Sequence, residues 1–245
     1  MRLDSILIYC AGYGSRLMPY TSKVPKPILI LNQNTILERL LKQIKLLNFH
    51  IPVFINISYL ADEFMKQISK MSLDIRPQII YEPSPLGTGI TTKNFLELNF
   101  HSSLFIHGDL VFETSHLLKM LSKLNLSHTN TLITHPRKFS ESRSIIKYKN
   151  NRVESIIEIE NKSMLNNQIL HNQEYVDVFS GIIKLIRIKS DTLNLEVGDS
   201  LSPKLINQVA SDNELRKLEF KGTRISVDSF ESYEKAITLD KFDRV

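Results

Sequence analysis

Leu7-Ile8-Tyr9-Cys10-Ala11-Gly12-Tyr13-Gly14-Ser15-Arg16-Leu17-Met18-Pro19-Tyr20-Thr21, followed closely by Pro25-Lys26-Pro27, reads as an apolar strand that runs into a glycine loop and then into fixed basic residues. Gly12 and Gly14 remove side chains where a loop has to bring backbone N–H groups against an anion, and small Ala11 and Ser15 keep the approach open. A triphosphate suits such a loop. Two common phosphate loops fail against it: a dinucleotide fingerprint needs a third glycine where Leu17 stands, and a Walker loop needs a Gly-Lys-Ser/Thr that is absent. The prolines flanking Lys26 hold it in an extended segment and limit the entropy lost in positioning its ammonium.

Outward from this stretch, apolar runs of strand length alternate with helix-period segments, the pattern of a mixed, mostly parallel sheet flanked by helices. The fold class is α/β. Residues 5–10, 52–57, 78–81 and 104–107 read as strands, the last ending at Gly108-Asp109. Thr35-Ile36-Leu37-Glu38 reads as a capping box opening a helix whose apolar face runs through Leu40, Leu41, Ile44 and Leu47. Further helices are expected around Phe64 and Ile68, after a turn-rich loop at Gly89, and over 114–124. The second half shifts to short strands at 131–134, 144–148, 153–158 and 180–188, with a polar stretch over 161–174. A helix over 203–209, a strand at 225–228 and a last helix over 230–239 complete the reading. With no repeat, low-complexity tract or linker, the chain is read as one domain, residues 1–125 binding nucleotide and 126–245 the acceptor.

Composition narrows the function classes. The chain has 245 residues, enough for a sizeable core, and its 42% hydrophobic and 23% charged residues exclude disorder as the general state. Cys10 is the one cysteine, so neither an internal disulfide nor a zinc-knuckle spacing arises, and a reducing cytoplasm is the expected compartment. Cys10 itself reads as a buried small residue of the first strand rather than a nucleophile. The seven histidines show no metal-ligand spacing. The apolar run at 6–11 is too short to span a membrane, and no targeting segment is read. The net charge of +5 is dispersed; it fits anionic ligands, while no basic run interleaved with aromatics points to nucleic acid.

The glycine loop resembles the opening of the nucleotidyltransferases that make NDP-sugars from a nucleoside triphosphate and a sugar 1-phosphate. Their usual Leu-Ala-Ala-Gly-x-Gly-x-Arg-Leu-x-Pro-x-Thr is matched here from Tyr9 to Thr21 except that Tyr9 and Cys10 replace Leu and Ala, and Pro25-Lys26-Pro27 matches fully. Pro85-Leu86-Gly87-Thr88-Gly89, preceded by Glu82, looks like the family's Pro-Leu-Gly-Thr-Ala-Gly segment that packs on the base. Phe105-Ile106-His107-Gly108-Asp109 is similar to its Asn-Gly-Asp, with His107 in place of Asn.

The resemblance implies a GT-A-like nucleotidyltransferase fold, with nucleotide held by Tyr9, Ala11, Gly12, Gly14, Ser15, Glu82, Gly87 and Thr88. It implies in-line attack by an acceptor phosphate oxygen on the α-phosphorus and expulsion of pyrophosphate. Such catalysis is positioning and charge neutralisation, for which Arg16, Lys26 and Mg²⁺ are the expected parts. Arg16 would clamp the triphosphate, and Lys26 the acceptor phosphate or the α-phosphate. Asp109, at the end of an apolar strand, is the expected first metal ligand.

The second carboxylate is less direct. Aligned on Glu231, the family's late Asp falls at Ser226, and Asp228 lies two residues on, which the strand period puts on the same face. Residues 225–233 also look like the Ile-Asp-Ser-x-x-Asp-Tyr ending of phosphocholine cytidylyltransferases, with the metal Asp at Asp228. The alternative is that Asp228 caps the last helix in a box with Glu231.

The acceptor half departs most. Arg143-Ser144-Ile145 stands for Arg-Tyr-Gly, Glu158-Ile159-Glu160 for Glu-Lys-Pro, and Phe179-Ser180-Gly181 for Asn-Ala-Gly. Glu158 and Gly181 are the expected acceptor residues, Glu158 reading equally as a solvated carboxylate. Three functions remain open: NMP transfer to a sugar 1-phosphate, with a homo-oligomer left open as its assembly; CTP-dependent transfer to phosphocholine or another small phosphomonoester; and a non-catalytic nucleotide-binding subunit.

Overall fold

Ser5–Tyr9 (β1) is apolar but for its first residue and its last hydroxyl, and every residue in it is buried, as expected of a strand covered on both sides. In a computed structural model that describes residues 1–159 and 174–243, its period of two divides the burial. Ile6 and Ile8 pack into one core with Leu37, Leu40, Leu121 and Leu124, and Leu7 and Tyr9 into another with Phe95, Phe105, Leu205 and Val209.

The strands that follow are Val53–Ile57 (β2), Gln78–Tyr81 (β3), Ser102–His107 (β4), Leu110–Phe112 (β5), Asn130–Lys138 (β6), Ser144–Lys149 (β7), Arg152–Glu158 (β8), Tyr175–Ile186 (β9), Leu215–Glu219 (β10) and Arg224–Ser226 (β11). Nine of them form one sheet in the order β3-β2-β1-β4-β9-β6-β10-β8-β7. The pairings make β8 and β9 run against the rest, so the sheet is mixed and mostly parallel. Helices Ile36–Lys45 (α1), Ala61–Ile68 (α2), Thr88–Leu96 (α3), Thr114–Leu126 (α4), Ile206–Asp212 (α5) and Phe230–Phe242 (α6) flank it. None of the described helices is long and apolar enough to cross a membrane.

Several expected elements are corrected. β5 and β10 are strands that the pattern does not announce: β5 has three residues, and only the inner end of β10 is buried. The strand read at 180–188 begins at Tyr175, since its outer half lies against the exposed end of β6. The helix read over 203–209 is a π turn at Leu201–Leu205 continuing into α5. The capping box at α1 has one arm: the Thr35 hydroxyl accepts from Glu38 N at 3.1 Å, but the Glu38 carboxylate turns to Lys42. The polar stretch over 161–174 lies, but for Glu174, outside the described residues, as does Glu160.

The C-terminal segment returns to the first half of the chain. β11 pairs antiparallel with β5, so Ser226 lies opposite Leu110. Arg39 of α1, fully buried, fastens α6 by donating to Asp240 at 2.9 Å and Asp243 at 2.7 Å. A buried guanidinium is tolerated because two carboxylates and the Phe112 carbonyl answer it. This return sets residues 224–229 beside the carboxyl ends of β1 and β4, where open α/β sheets hold ligands.

Candidate functional site

The carboxyl ends of β1 and β4 open onto a cavity of about 280 Å³. Its lining contains every residue named above for the nucleotide, Tyr9, Ala11, Gly12, Gly14, Ser15, Glu82, Gly87 and Thr88, together with Arg16, Lys26 and Asp109. A Cβ on Gly12 would meet nothing within 4 Å, so the space it leaves is open. Gly14 has a different reason to be glycine. It sits at φ +64°, and a Cβ there would stand 3.0 Å from Thr21 Cγ2 and 3.3 Å from Lys26 Cβ, so it lets the loop close onto the segment carrying the lysine.

A buried polar chain ties the glycine loop to the 84–89 loop. Asn56, in the otherwise apolar β2, accepts from Cys10 N at 2.8 Å and donates to Glu82 at 2.9 Å. Glu82 also accepts from Leu86 N at 3.2 Å and from the Thr91 hydroxyl. The Glu82 carboxylate is thus engaged as a brace. The Thr88 hydroxyl accepts from Leu201 N at 2.7 Å, and the Thr88 carbonyl from the Thr92 hydroxyl at 2.6 Å. Sequence reading missed Asn56, although a lone amide in a fully buried strand is a visible signal.

Two ion pairs involve residues of this lining. Lys26 Nζ donates to Asp109 Oδ2 at 2.6 Å, and Arg16 Nη1 to Asp228 Oδ2 at 2.9 Å. Burial pushes the Asp109 carboxyl up, but Lys26, His107 and Arg224 outweigh it and hold it below the usual range. Burial lowers His107 in turn, against the pull of Asp109, and its Nε2 is buried without a partner. Cys10 is buried, and burial pushes its thiol well up.

Asp228 is not carried by a continuing strand. Its N–H donates to the Ser226 carbonyl at 3.0 Å, so the chain turns after β11 and the period-two argument ends there. Nor does it cap α6: Ser229 is the cap and Ser232 closes the box, while Glu231 pairs with Lys235. Its backbone still adjoins the metal candidate, since Val227 N donates to the Asp109 carbonyl at 3.0 Å. Asp109 in this lining and Asp228 beside it are of the kind that fits Mg²⁺, which is commonly held by one or two carboxylates plus substrate phosphates.

A second cavity of about 500 Å³ adjoins the first and shares Arg16 with it. Arg137, Arg143, Arg224, His135, Ser226 and Asp228 are among its lining. Arg224 Nε donates to the Ser180 carbonyl at 2.7 Å, and burial is the main cause that brings its guanidinium down to about 10. Burial and the charges of Arg224 and Arg137 bring His135 to about 3, so it is neutral. Glu158 and Gly181 line neither cavity. Glu158 is exposed on β8 opposite Ser144. Gly181 lies in a bulge of β9 at φ +86°, where a Cβ would strike Leu110 Cδ1 at 2.6 Å, so packing accounts for it.

Comparison with known proteins identifies the relatives of this chain. A family model described as nucleotidyl transferase matches residues 6–178, more than half of the chain. A bifunctional protein GlmU of Methanococcus maripaludis is 30% identical over 118 residues, which cover 46% of this chain and 26% of that protein. The D-glycero-alpha-D-manno-heptose 1-phosphate guanylyltransferase of Campylobacter jejuni is 28% identical over 123 residues, covering 50% of this chain and 53% of that one. The match thus spans about a quarter to a half of the length of these curated relatives. The crystal structure of HddC from Yersinia pseudotuberculosis superposes with a TM-score of 0.74 at 21% identity, covering 98% of this chain and 100% of the other, a likeness of fold.

Proposed function

Since the chain belongs to the nucleotidyl transferase family, we propose that it transfers NMP from a nucleoside triphosphate to a sugar 1-phosphate with release of pyrophosphate. The observation that carries this reading is the pair of adjoining cavities, one lined by the glycine loop, Lys26 and Asp109, the other cationic, with Arg16 on the lining of both. An acceptor phosphate held near Lys26 attacks the α-phosphorus, a new P–O bond forms, and the bond to the β-phosphate oxygen breaks with its electron pair leaving on pyrophosphate. Lys26 neutralises the approaching phosphates and Arg16 the leaving one. Asp109 and Asp228 would hold Mg²⁺, whose charge lowers the repulsion between the reacting phosphates.

The relative from Campylobacter jejuni, named for transfer to a heptose 1-phosphate, supports a sugar phosphate as acceptor. Phosphocholine fits less well, because the arginines that line the second cavity repel a quaternary ammonium. The lone buried Cys10 agrees with a reducing cytoplasm.

The test is pyrophosphate release with Mg²⁺ across the four NTPs against sugar 1-phosphates, phosphocholine and related phosphomonoesters, with Asp109→Ala as blank. Turnover with a sugar 1-phosphate that vanishes in the blank supports the proposal. Turnover with phosphocholine alone overturns it, as does NTP binding without turnover on any acceptor.

A further inference from the structure

The second cavity holds more positive charge than its own acid answers. Among the described residues, Asp228 is the one carboxylate in its lining and is taken by Arg16. Arg224 has no carboxylate within 4 Å among the described residues; its Nε goes to a carbonyl, and its Nη1 stands 3.5 Å from the neutral His135. Arg143 is exposed and has no ion pair among the described residues, and Arg137 reaches only Glu141 at 3.9 Å. The Nδ1 of His135 is buried and has no partner among the described residues. Asp109 and Asp228 act on Arg224 only from beyond contact, and a partly buried guanidinium with no counter-ion in contact is costly unless a ligand supplies the charge.

On the proposed reaction the attacking phosphate is held with Lys26 in the first cavity, which leaves these arginines to another group. Arg143 comes from the start of β7 and Arg224 from β11, two separate stretches that converge on one chamber. Guanidinium forks select planar carboxylates and phosphates.

We propose that the acceptor is an acidic sugar 1-phosphate, bearing a second anionic group, a carboxylate or a second phosphate, which Arg224 and Arg143 bind. This rests on the proposed reaction, but its test does not need turnover. Calorimetry in the presence of Mg²⁺ and a non-hydrolysable NTP analogue would compare a neutral hexose 1-phosphate with a hexuronic acid 1-phosphate and a hexose 1,6-bisphosphate. The expected result is that at least one acidic acceptor binds about tenfold or more tightly than the neutral one, as a charged hydrogen bond supplies. The arm that gains names the anion. Arg143→Gln, at an exposed residue outside the first cavity's lining, should abolish the preference while leaving affinity for the NTP analogue unchanged, and Arg224→Gln should abolish the preference as well.

Equal binding of neutral and acidic acceptors, no binding of either acidic one, or a preference that survives both substitutions overturns the proposal. A preference that is present and lost in the variants, without turnover on any acceptor, upholds the anion site and instead removes the transferase reading.

Discussion

Lys26 Nζ lies 2.6 Å from Asp109 Oδ2, so the cation expected to meet phosphate and the carboxylate expected to meet metal neutralise one another across the mouth of one cavity. Both are mostly buried, and each would be costly alone. On the proposed function, Mg²⁺ and a triphosphate would supply each with a new partner of the right sign, and substrate would exchange with the protein's own counter-charges. Arg16 and Asp228 repeat it at the more exposed edge.

Lys26→Ala should therefore lower kcat by about a hundred- to a thousandfold, as loss of one preorganised donor removes about 2.7–4 kcal/mol of transition-state stabilisation. Pyrophosphate release at saturating substrates measures this. A change confined to KM would assign Lys26 to ground-state binding instead.

Asp228→Asn separates a metal ligand from a surface ion pair. The Arg16–Asp228 pair is substantially exposed, and such pairs contribute about 0–1 kcal/mol, so the melting temperature should hold within a few degrees. The Mg²⁺ concentration for half-maximal turnover should rise by about tenfold or more. An unchanged Mg²⁺ requirement would leave Asp228 as a partner of Arg16 only.

Asn56→Ala strips two partners at once, leaving Cys10 N–H unsatisfied in the interior and the Glu82 oxygen with the Thr91 hydroxyl alone. An unsatisfied buried group costs about 1–3 kcal/mol, and 1 kcal/mol moves Tm by about 2–4 °C in a chain of this size. Because Glu82 also holds Leu86 N, the variant should raise KM for NTP as well as lower Tm. A fall in Tm with KM unmoved would make the network purely structural.

What was legible in the sequence divides along the same physical line. The stretch from Leu7 to Thr21 is local: strand, loop and cation follow one another, so spacing alone places them, and the same holds for β3, whose predicted bounds coincide with the observed ones. The chamber lined by Arg224, His135 and Arg143 is assembled by pairing distant strands, β11 on β5 and β6 on β9, and leaves no local pattern. Asp228 shows the limit most plainly. Its alternation was readable but its turn was not, because the turn follows from Val227 binding back to Asp109, more than a hundred residues away. The glycine at 181 points the same way, its need set by Leu110 rather than by an acceptor.

Lys184 offers a prediction in pH. It is fully buried in the central strand β9 and donates to the carbonyls of Met1, Leu124 and Ser127 at 2.8, 2.7 and 2.7 Å, closing the carboxyl end of α4. Burial, opposed by Asp4, brings its ammonium down to about 8 from an ordinary 10.5. Below about pH 8 folded and unfolded chains both hold the proton, and the contribution to stability is flat. Between about 8 and 10.5 the unfolded chain holds a proton the folded one has released, so this group's contribution rises with pH. Lys184→Met removes the titration and leaves three carbonyls unanswered, and should lower stability by about 1–3 kcal/mol at neutral pH. Denaturant unfolding of both proteins from pH 7 to 10.5 should show wild type gaining on the variant above pH 8. A gap that stays level or narrows over that range would mean that the three carbonyls keep the ammonium charged at the expense of its burial.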